Sequence, residues 1–391
     1  MIIYSILGII IGSLSYLIAF PDKNSRHLKI FWLCFAFHIM LCLVYWQYAM
    51  ANPADANAYF RGPDRWLGPE LRPGAIFIAK TVDLLKSVAG GSMLDFFLLF
   101  QSFGMIGIAL LMRCFFEIAE DLRQPLPFYL VALLFLPGIH FWSSALGKDA
   151  PLFMSCALCV WAMIRIERRY PAFLLALAVM GAIRPHVAGI SMLALVLTLT
   201  LDSRVSFRFK VPFSMVAAVG AVAVANMMQA AFDISAFDPD DVTDFLASKQ
   251  EYGASSALAA GVGDLPYPLR ILTLLFRPLF FDASGMMGII VSVENAVILG
   301  MSAWIIYDAR TVWKLFTKVT LFRFCTLFSL ILILLLSWIN YNVGLGLRQK
   351  MMAMPAILVL FVTLRLFKQA THNSSPHQGE FLQQIQPTTA R

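Results

Sequence analysis

Long uncharged apolar runs constrain the fold of this chain more than any other feature. They extend over about 15–22 residues, and a helix that crosses the hydrocarbon core of a bilayer needs roughly 20. Only 14% of the 391 residues are charged, whereas a soluble protein carries about 25%. A transmembrane β-barrel would show short alternating segments instead. The sequence therefore predicts an all-α fold, a polytopic transmembrane helical bundle of about 11 spans.

The predicted membrane segments form one transmembrane domain, 1–368. They are 2–20, 30–50, 95–116, 126–142, 151–166, 171–183, 187–201, 211–229, 286–306, 324–339 and 352–367. Two of them, 171–183 and 187–201, are short and are separated by Arg184-Pro185, so they fit either two tilted helices or one re-entrant pair. The first segment lacks a basic leader and a cleavage site, and it is predicted to be a retained span. The polar tail, 369–391, is predicted to be disordered.

The distribution of Lys and Arg predicts the orientation. With the loop 21–29 placed in the cytoplasm, the inner loops and the tail carry a net charge of +10 and the outer loops −3, which together give the +7 of the chain. Short cytoplasmic loops of membrane proteins are enriched in Lys and Arg. The N-terminus is thus predicted outside and the C-terminus inside, and the basic charge needs no nucleic-acid partner.

Two outer loops are large. The first, 51–94, contains an amphipathic segment at 75–88 that is predicted to lie in the membrane interface. The second, 230–285, begins with an acidic stretch and ends in a predicted helix, 267–277, on which Arg270 and Arg277 share one face. The acidic stretch lacks an EF-hand pattern, so no metal site is predicted. The six cysteines lie in or beside apolar runs and are interpreted as packing residues.

Three short basic motifs are predicted to lie together at the outer face. They are Gly147-Lys148-Asp149, Arg184-Pro185-His186 and Arg348-Gln349-Lys350. An arginine at membrane depth is costly unless it meets water, a carboxylate or a phosphate, and its planar fork suits phosphate oxygens. The clustering indicates a site for an anionic, membrane-borne substrate.

Structural explanations for these motifs stay open. Asp149 fits an N-cap with Pro151 near the first helical position. The arginines also fit side chains that reach toward lipid head groups. The segment 340–346 is predicted to be a short glycine-bearing loop whose backbone amides can approach a ligand. Glu294, inside a span, is expected to pair with Arg277 or Arg348.

Two residues are candidates for a general base, because proton transfer from a sugar hydroxyl needs a positioned carboxylate or histidine. Asp55 lies at the end of the second span, four residues before Tyr59, a candidate substrate-binding residue. His186 follows the Arg184-Pro185 break. For Asp55 the alternative is a solvated loop carboxylate.

Several of these segments resemble bacterial polysaccharide repeat-unit polymerases of the Wzy and EpsG type. The resemblance covers most of the membrane region and rests on the order of five motifs. They are 55–60 (DANAYF), 141–149 (FWSSALGKD), 183–186 (IRPH), 275–278 (LFRP) and 344–350 (GLGLRQK). Such proteins are similar to GT-C-type membrane glycosyltransferases, which act on lipid pyrophosphate-linked glycans.

The resemblance implies polymerisation of lipid pyrophosphate-linked oligosaccharide repeats, for exopolysaccharide or capsule, at the outer face of the bacterial inner membrane. It implies no cofactor and no nucleotide sugar. Arg184, Arg277 and Arg348 would hold the pyrophosphate, with Lys148, Lys350 and Tyr59 as further binding residues. Expected partners are the polyprenyl pyrophosphate-linked oligosaccharide, membrane lipid and other polysaccharide synthesis or export proteins. A lipid-linked oligosaccharide flippase and a non-catalytic subunit of an export complex remain as alternatives.

Overall fold

The described part of the chain is helical throughout its regular structure. The computed structural model describes residues 2–20, 25–62, 73–202, 265–283, 285–339 and 342–372, with isolated positions 211, 215, 218, 222 and 262. Within these residues every regular element is a helix, which confirms the all-α prediction. The acidic stretch of the second outer loop, nearly all of the predicted span 211–229 and the tail beyond His372 lie outside the described residues.

Five helices are long and apolar enough to cross a membrane, which makes the chain a multi-pass membrane protein. They are His27–Ala51, Met93–Asp121, Gly285–Tyr307, Thr320–Ile339 and Met354–His372. Shorter apolar helices occupy several of the other predicted segments. The count of about 11 spans stays a prediction.

Contacts divide the chain into two compact units, the first comprising Met1–Glu120 and Pro125–Arg184 and the second Asp121–Gln124 and Pro185–Arg391. The helices of the first unit are α1 (Ile3–Leu14), α2 (Tyr16–Ala19), α3 (Ser25–Ala51), α4 (Asp55–Arg61), α5 (Ala75–Ala89), α6 (Met93–Asp121), α7 (Phe128–Ala132), α8 (Pro137–Ser143), α9 (Asp149–Ile164) and α10 (Ile166–Ile183). Those of the second are α11 (Pro185–Thr200), α12 (Tyr267–Phe276), α13 (Gly285–Tyr307), α14 (Ala309–Lys318), α15 (Thr320–Ile339), α16 (Val343–Lys350) and α17 (Met354–His372).

The central helix of the first unit, α6, begins with a capping box. Ser92 Oγ accepts from the Asp95 backbone amide at 3.3 Å, and Asp95 Oδ2 accepts from the Ser92 amide at 2.8 Å. Two of the four amides that a helix start leaves unsatisfied are thereby paired. The other Asp95 oxygen accepts from the hydroxyl of Ser5 at 2.5 Å. This bond connects α1 to the start of α6.

Glycines let helices of the first unit approach α6 closely. A Cβ added to Gly104 would lie 2.0 Å from the carbonyl oxygen of Ser143, and one added to Gly8 would lie 1.9 Å from that of Leu98. Small residues at such crossings are typical of membrane helices. Beside Gly104 lies a buried polar contact in which His38 Nδ1 is 3.2 Å from His140 Nδ1.

The predicted span 126–142 is not one helix. It contains α7, a 3₁₀ turn at Leu133–Phe135 and α8, and α8 begins at Pro137. Proline disfavours the α conformation in the residue before it, and Leu136 has ψ +120°. The helix is therefore interrupted at Leu136, within an apolar helical stretch that extends over Phe128–Ser143.

The predicted segments 151–166 and 171–183 leave a basic turn between them that contains Arg168 and Arg169, and this connection is much shorter in the structure. Only Arg165 separates α9 from α10, and Arg168 and Arg169 lie within α10. Arg169 forms an ion pair of 2.8 Å with Glu117 of α6, and its guanidinium lies 4.0 Å from the centre of the Trp161 ring. The tight reversal packs α9 and α10 side by side, so the start of α9 and the end of α10 meet at one end of the pair.

In the second unit one buried arginine joins three helix ends. Arg323 of α15 donates to the carbonyls of Thr198 at 2.9 Å, Phe316 at 2.8 Å and Thr317 at 2.6 Å. It also forms an ion pair of 3.2 Å with Asp202. These carbonyls are among the last four of α11 and α14, which have no partner within their own helices. A cation at these C-termini is also favoured by both helix dipoles.

Candidate functional site

The first group of candidate residues lies where α9 begins and α10 ends. Arg184 follows the last residue of α10, and its Nη2 lies 3.7 Å from Oδ1 of Asp149, the first residue of α9. The side chains are 12% and 7% exposed. An acid at a helix start and a base at a helix end are both favoured by the helix dipoles. The arrangement holds a largely buried guanidinium beside one carboxylate.

The predicted N-cap role of Asp149 is wrong. The residue before α9 is Lys148, which makes no side-chain capping bond, and Asp149 already has helical geometry. Pro151 therefore lies at the third helical position. Lys148 is half-buried, and with Arg184 it supplies the two cations of this end. We call Lys148, Asp149 and Arg184 the first basic cluster.

Tyr59 of α4 packs against Gly147, the residue before Lys148 of the first basic cluster. Its ring would lie 3.1 Å from a Cβ added to Gly147, and its side chain is only 2% exposed. Asp55, the first residue of α4, is exposed one turn earlier. The structure thus brings Tyr59 to the Gly147-Lys148-Asp149 motif and leaves the candidate base Asp55 at the surface of the same short helix.

The predicted amphipathic segment of the first outer loop is confirmed as a helix, α5. Its N-cap residue, Gly74, donates its backbone amide to the carbonyl of Ala182 at 3.0 Å. Lys86 near its other end donates to the carbonyl of Phe60 at 2.9 Å. The first contact satisfies an end carbonyl of α10, so α5, and α4 through Lys86, are attached to the end that carries Arg184.

The remaining candidates lie in the second unit, toward the C-terminal end of α15. Arg323, near the start of α15, bonds to Thr198 near the end of α11, and the two helices pack together. They are therefore antiparallel, which directs His186 in the first turn of α11 toward the far end of α15. The side chains of Tyr267 and Arg270 of α12 bond to the carbonyls of Leu334 and Trp338 near that same end.

Arg277 follows the last residue of α12 and has extended backbone geometry, so the prediction that it shares one helical face with Arg270 is wrong. Its Nε lies 2.5 Å from Oδ2 of Asp282, and its side chain is half-buried. The second oxygen of Asp282 accepts the backbone amide of Leu279. The carboxylate thus holds the turn after α12 and one edge of the guanidinium.

The expected loop at 340–346 is a helix from Val343 onward. Asn342 is its N-cap, and its side-chain oxygen accepts from the backbone amides of Gly344 at 2.7 Å and Leu345 at 3.4 Å. These glycine-flanked amides are thus used in the helix start, which contradicts the prediction of a loop whose amides bind a ligand. Arg348 is half-buried in the last turn of α16.

Lys350 is the most enclosed of the candidate cations. It is 4% exposed, and its Nζ donates to Oδ1 of Asn295 and, at 3.4 Å, to the carbonyl of Leu275. Asn295 in turn donates to the carbonyl of Pro278 at 2.8 Å. Burial lowers the pKa of Lys350 from 10.5 to about 8, and the charge of Glu294 opposes this change.

These contacts connect the segments that carry the other two arginines. Lys350 lies two residues after Arg348, and its partner Leu275 lies two residues before Arg277. The end of α12 and the end of α16 are therefore held together through Lys350. We call Arg277, Arg348 and Lys350 the second basic cluster. Assignment of Lys350 to substrate binding stays a prediction, and its contacts also make it a support for both arginines.

Sequence reasoning missed the partners that hold these cations. Asp282 lies five residues after Arg277, with Pro278 between them, a spacing that suits a carboxylate closing a turn. Asn295 is a polar residue inside a span beside Glu294, which is itself a signal of a buried contact. Glu294 is the residue expected to form an ion pair at this depth, whereas its neighbour Asn295 accepts the hydrogen bond of Lys350.

Two grooves have described linings that include no residue of either cluster. One, of about 570 Å³, is lined by Tyr267, Arg270, Leu334, Leu335 and Trp338. The other, of about 480 Å³, follows the chain from Met50 to Gly62 but does not include Asp55 or Tyr59. Within the described ranges, no three His, Cys, Asp or Glu side chains are placed to hold a metal ion.

Comparison of the chain with models of protein families, with curated proteins and with solved structures finds no match.

Proposed function

We propose that this chain polymerises lipid pyrophosphate-linked oligosaccharide repeat units at the outer face of the bacterial inner membrane. The observation that carries the proposal is the placement of the basic residues. In each unit they lie at the ends of helices, half-buried or buried, and each cluster contains a carboxylate or amide contact that orients a cation. Asp149 and Asp282 are the carboxylate partners of Arg184 and Arg277, and the planar fork of a guanidinium also suits the oxygens of a lipid pyrophosphate.

The reaction joins two substrates of the same kind. A hydroxyl of one lipid-linked repeat attacks the anomeric carbon of another, a new glycosidic C–O bond forms, and the bond from the anomeric carbon to pyrophosphate breaks. Donor and acceptor both carry pyrophosphate, so a reaction of this type has use for more than one basic cluster. Guanidinium groups stabilise the charge that builds on the leaving lipid pyrophosphate, which is commonly the largest electrostatic contribution to such a step.

The hydroxyl proton passes to a base, for which Asp55 and His186 are the candidates. Asp55 is exposed in the first turn of α4, one turn before Tyr59 of the first unit. His186 is half-buried in the first turn of α11. Asp149 acts differently in this proposal, because its carboxylate lies 3.7 Å from Arg184 and orients that guanidinium.

Conservative replacements of the arginines test the proposal. Arg184→Lys and Arg348→Lys keep the charge but lose the planar fork, and a lost charge-assisted hydrogen bond costs roughly 1.5–3 kcal/mol. If that loss is felt only in the transition state, chain growth slows by about 10- to 150-fold. The measurement is polymer formation by the purified, reconstituted chain from lipid-linked repeats. Arg365→Lys in α17 is the matched control and should leave the rate unchanged.

Asp55→Asn and His186→Gln test the two candidate bases. Each variant keeps a hydrogen-bonding side chain of similar shape. The base variant should bind the lipid-linked repeat and fail to extend it. Long polymer from both variants would reject both residues as the base.

The lipid-linked intermediate that accumulates without this chain distinguishes the alternatives. Single repeats on the outer leaflet agree with a polymerase. Accumulation on the inner leaflet would contradict the proposal and would identify a flippase. Normal polymer from the reconstitution mixture in the absence of the chain would assign it a non-catalytic role.

A further inference from the structure

The short helix α14, which follows the span α13, has a sharply divided surface. Its exposed residues are Arg310, Trp313, Lys314, Thr317 and Lys318, and Ala309 at its start is also exposed. The first four recur at intervals of three and four, so they lie on one helical face. Leu315 on the other face is fully buried, and Val312 and Phe316 beside it are half-buried. The helix therefore packs through one apolar face and presents the other outward.

The outward face combines three cations with one aromatic residue and carries no acid. Trp313 is 67% exposed, and its ring stacks on that of Phe316 with the centres 5.8 Å apart. Lys314 Nζ lies 5.2 Å from the centre of the Phe367 ring. A largely exposed tryptophan among cations is unfavourable in bulk water but suits the boundary between lipid head groups and acyl chains, where one side of the ring is apolar and the other is wet.

The position of α14 in the chain places this face at such a boundary. The span α13 ends at Tyr307, and Asp308 alone separates it from α14. Trp304 and Tyr307 in the last turn of the span are exposed, and the guanidinium of Arg365 lies 4.2 Å from the centre of the Trp304 ring. Tryptophan and tyrosine gather in this way at the ends of membrane spans.

We propose that this face of α14 binds the head groups of anionic phospholipids. Arg310, Lys314 and Lys318 take the phosphate oxygens, and Trp313 lies at the level where the acyl chains begin. A basic amphipathic helix with a tryptophan is suited to this geometry, and each Lys or Arg near an anionic surface favours it by roughly fivefold. The inference is independent of the glycan-polymerising activity, because it involves neither basic cluster.

The test uses the full-length chain in lipid nanodiscs with a fluorophore on Thr317→Cys. The six native cysteines are buried, so the label is selective. The discs contain phosphatidylcholine with a small equal fraction of nitroxide-labelled phosphatidylglycerol or nitroxide-labelled phosphatidylcholine. Nitroxide-labelled phosphatidylglycerol should quench the fluorophore at least several-fold more strongly than nitroxide-labelled phosphatidylcholine. This excess quenching should fall when the salt concentration is raised, since salt screens exposed charges. This comparison needs no substitution on the face beyond the label.

Charge variants then identify the cause. Combined Arg310→Gln, Lys314→Gln and Lys318→Gln should remove the excess quenching, whereas Arg310→Lys, Lys314→Arg and Lys318→Arg together should keep it. A label on Leu299→Cys, exposed in the middle of α13, should be quenched equally by both lipids.

Three results would overturn the proposal. They are equal quenching at Thr317 by the two lipids, an excess that survives the glutamine substitutions, and a Thr317 label that neither lipid reaches. The last result would mean that a different partner covers this face.

Discussion

Burial of Lys350 should make the stability of the protein depend on pH in a window set by that one side chain. Its pKa falls from 10.5 to about 8, and at about 1.4 kcal/mol per pH unit the difference corresponds to about 3 kcal/mol. Below pH 8 the amine is charged in both the folded and the unfolded chain, and burial of that charge costs the folded state this amount. Between pH 8 and 10.5 the folded chain releases the proton while the unfolded chain retains it. The free energy of unfolding therefore rises with pH across this window and levels off above it.

Lys350→Met should remove that rise. At pH 7 the variant loses the costly buried charge, but it leaves Oδ1 of Asn295 without its donor, which costs about 1–3 kcal/mol. The two effects nearly cancel, so the variant and the parent should have similar stability at pH 7. At pH 10.5 the parent should be more stable by about 3 kcal/mol.

The measurement is the free energy of unfolding in mixed micelles between pH 7 and 11, taken as the difference between parent and variant. Titrating groups that do not interact with Lys350 contribute equally to both proteins and cancel in the difference, whereas Glu294, whose charge acts on Lys350, does not. Lys318→Met removes an exposed lysine and is the control, with a difference curve that should stay flat. A flat curve for Lys350→Met as well would refute the link between burial of Lys350 and stability.

Two further predictions follow from local contacts. Gly104→Ala should destabilise the protein severely, because its Cβ would lie 2.0 Å from the carbonyl oxygen of Ser143. Gly181→Ala, in a helix with nothing within 4 Å of the new carbon, should be neutral or stabilising by up to about 1 kcal/mol, and equal stability of the two variants would contradict the close helix packing. Asn342→Ala should cost about 1 kcal/mol through loss of the N-cap of α16. Because α16 carries Arg348, the rate of polymer formation by the folded Asn342→Ala variant should also fall below that of the parent. A thermal unfolding transition at the same temperature as that of the parent would contradict the capping role of Asn342.

Elements with a strong local signal were predictable from the sequence. The predicted helix 267–277 corresponds to α12, and 75–88 corresponds to α5. In the first case prolines mark the start, and in the second an amphipathic pattern extends over four turns. Both signals act within a few residues, so they do not depend on packing elsewhere.

Local signals misled the sequence analysis where tertiary contacts decide the structure. Two glycines near position 345 indicated a loop, but the side chain of Asn342 starts a helix there and Lys350 fixes its end. The pairing of Asp149 with Arg184 depends on the tight reversal at Arg165. Apolar periodicity carries no information about such a reversal, and the predicted basic turn suggested a longer connection.

Arg323 has a consequence for the order in which the protein is made. The carbonyl of Thr198 accepts a hydrogen bond from Arg323, which lies 125 residues later in the chain. At roughly 5–20 residues per second, that interval is on the order of 6–25 s of synthesis. During this interval the carbonyl of Thr198 and the carboxylate of Asp202 do not yet have Arg323 as a partner. If translation pauses before residue 323, the second unit lacks the contacts that Arg323 makes. We therefore expect the second unit to assemble only after α15 has been made, and not one helix at a time.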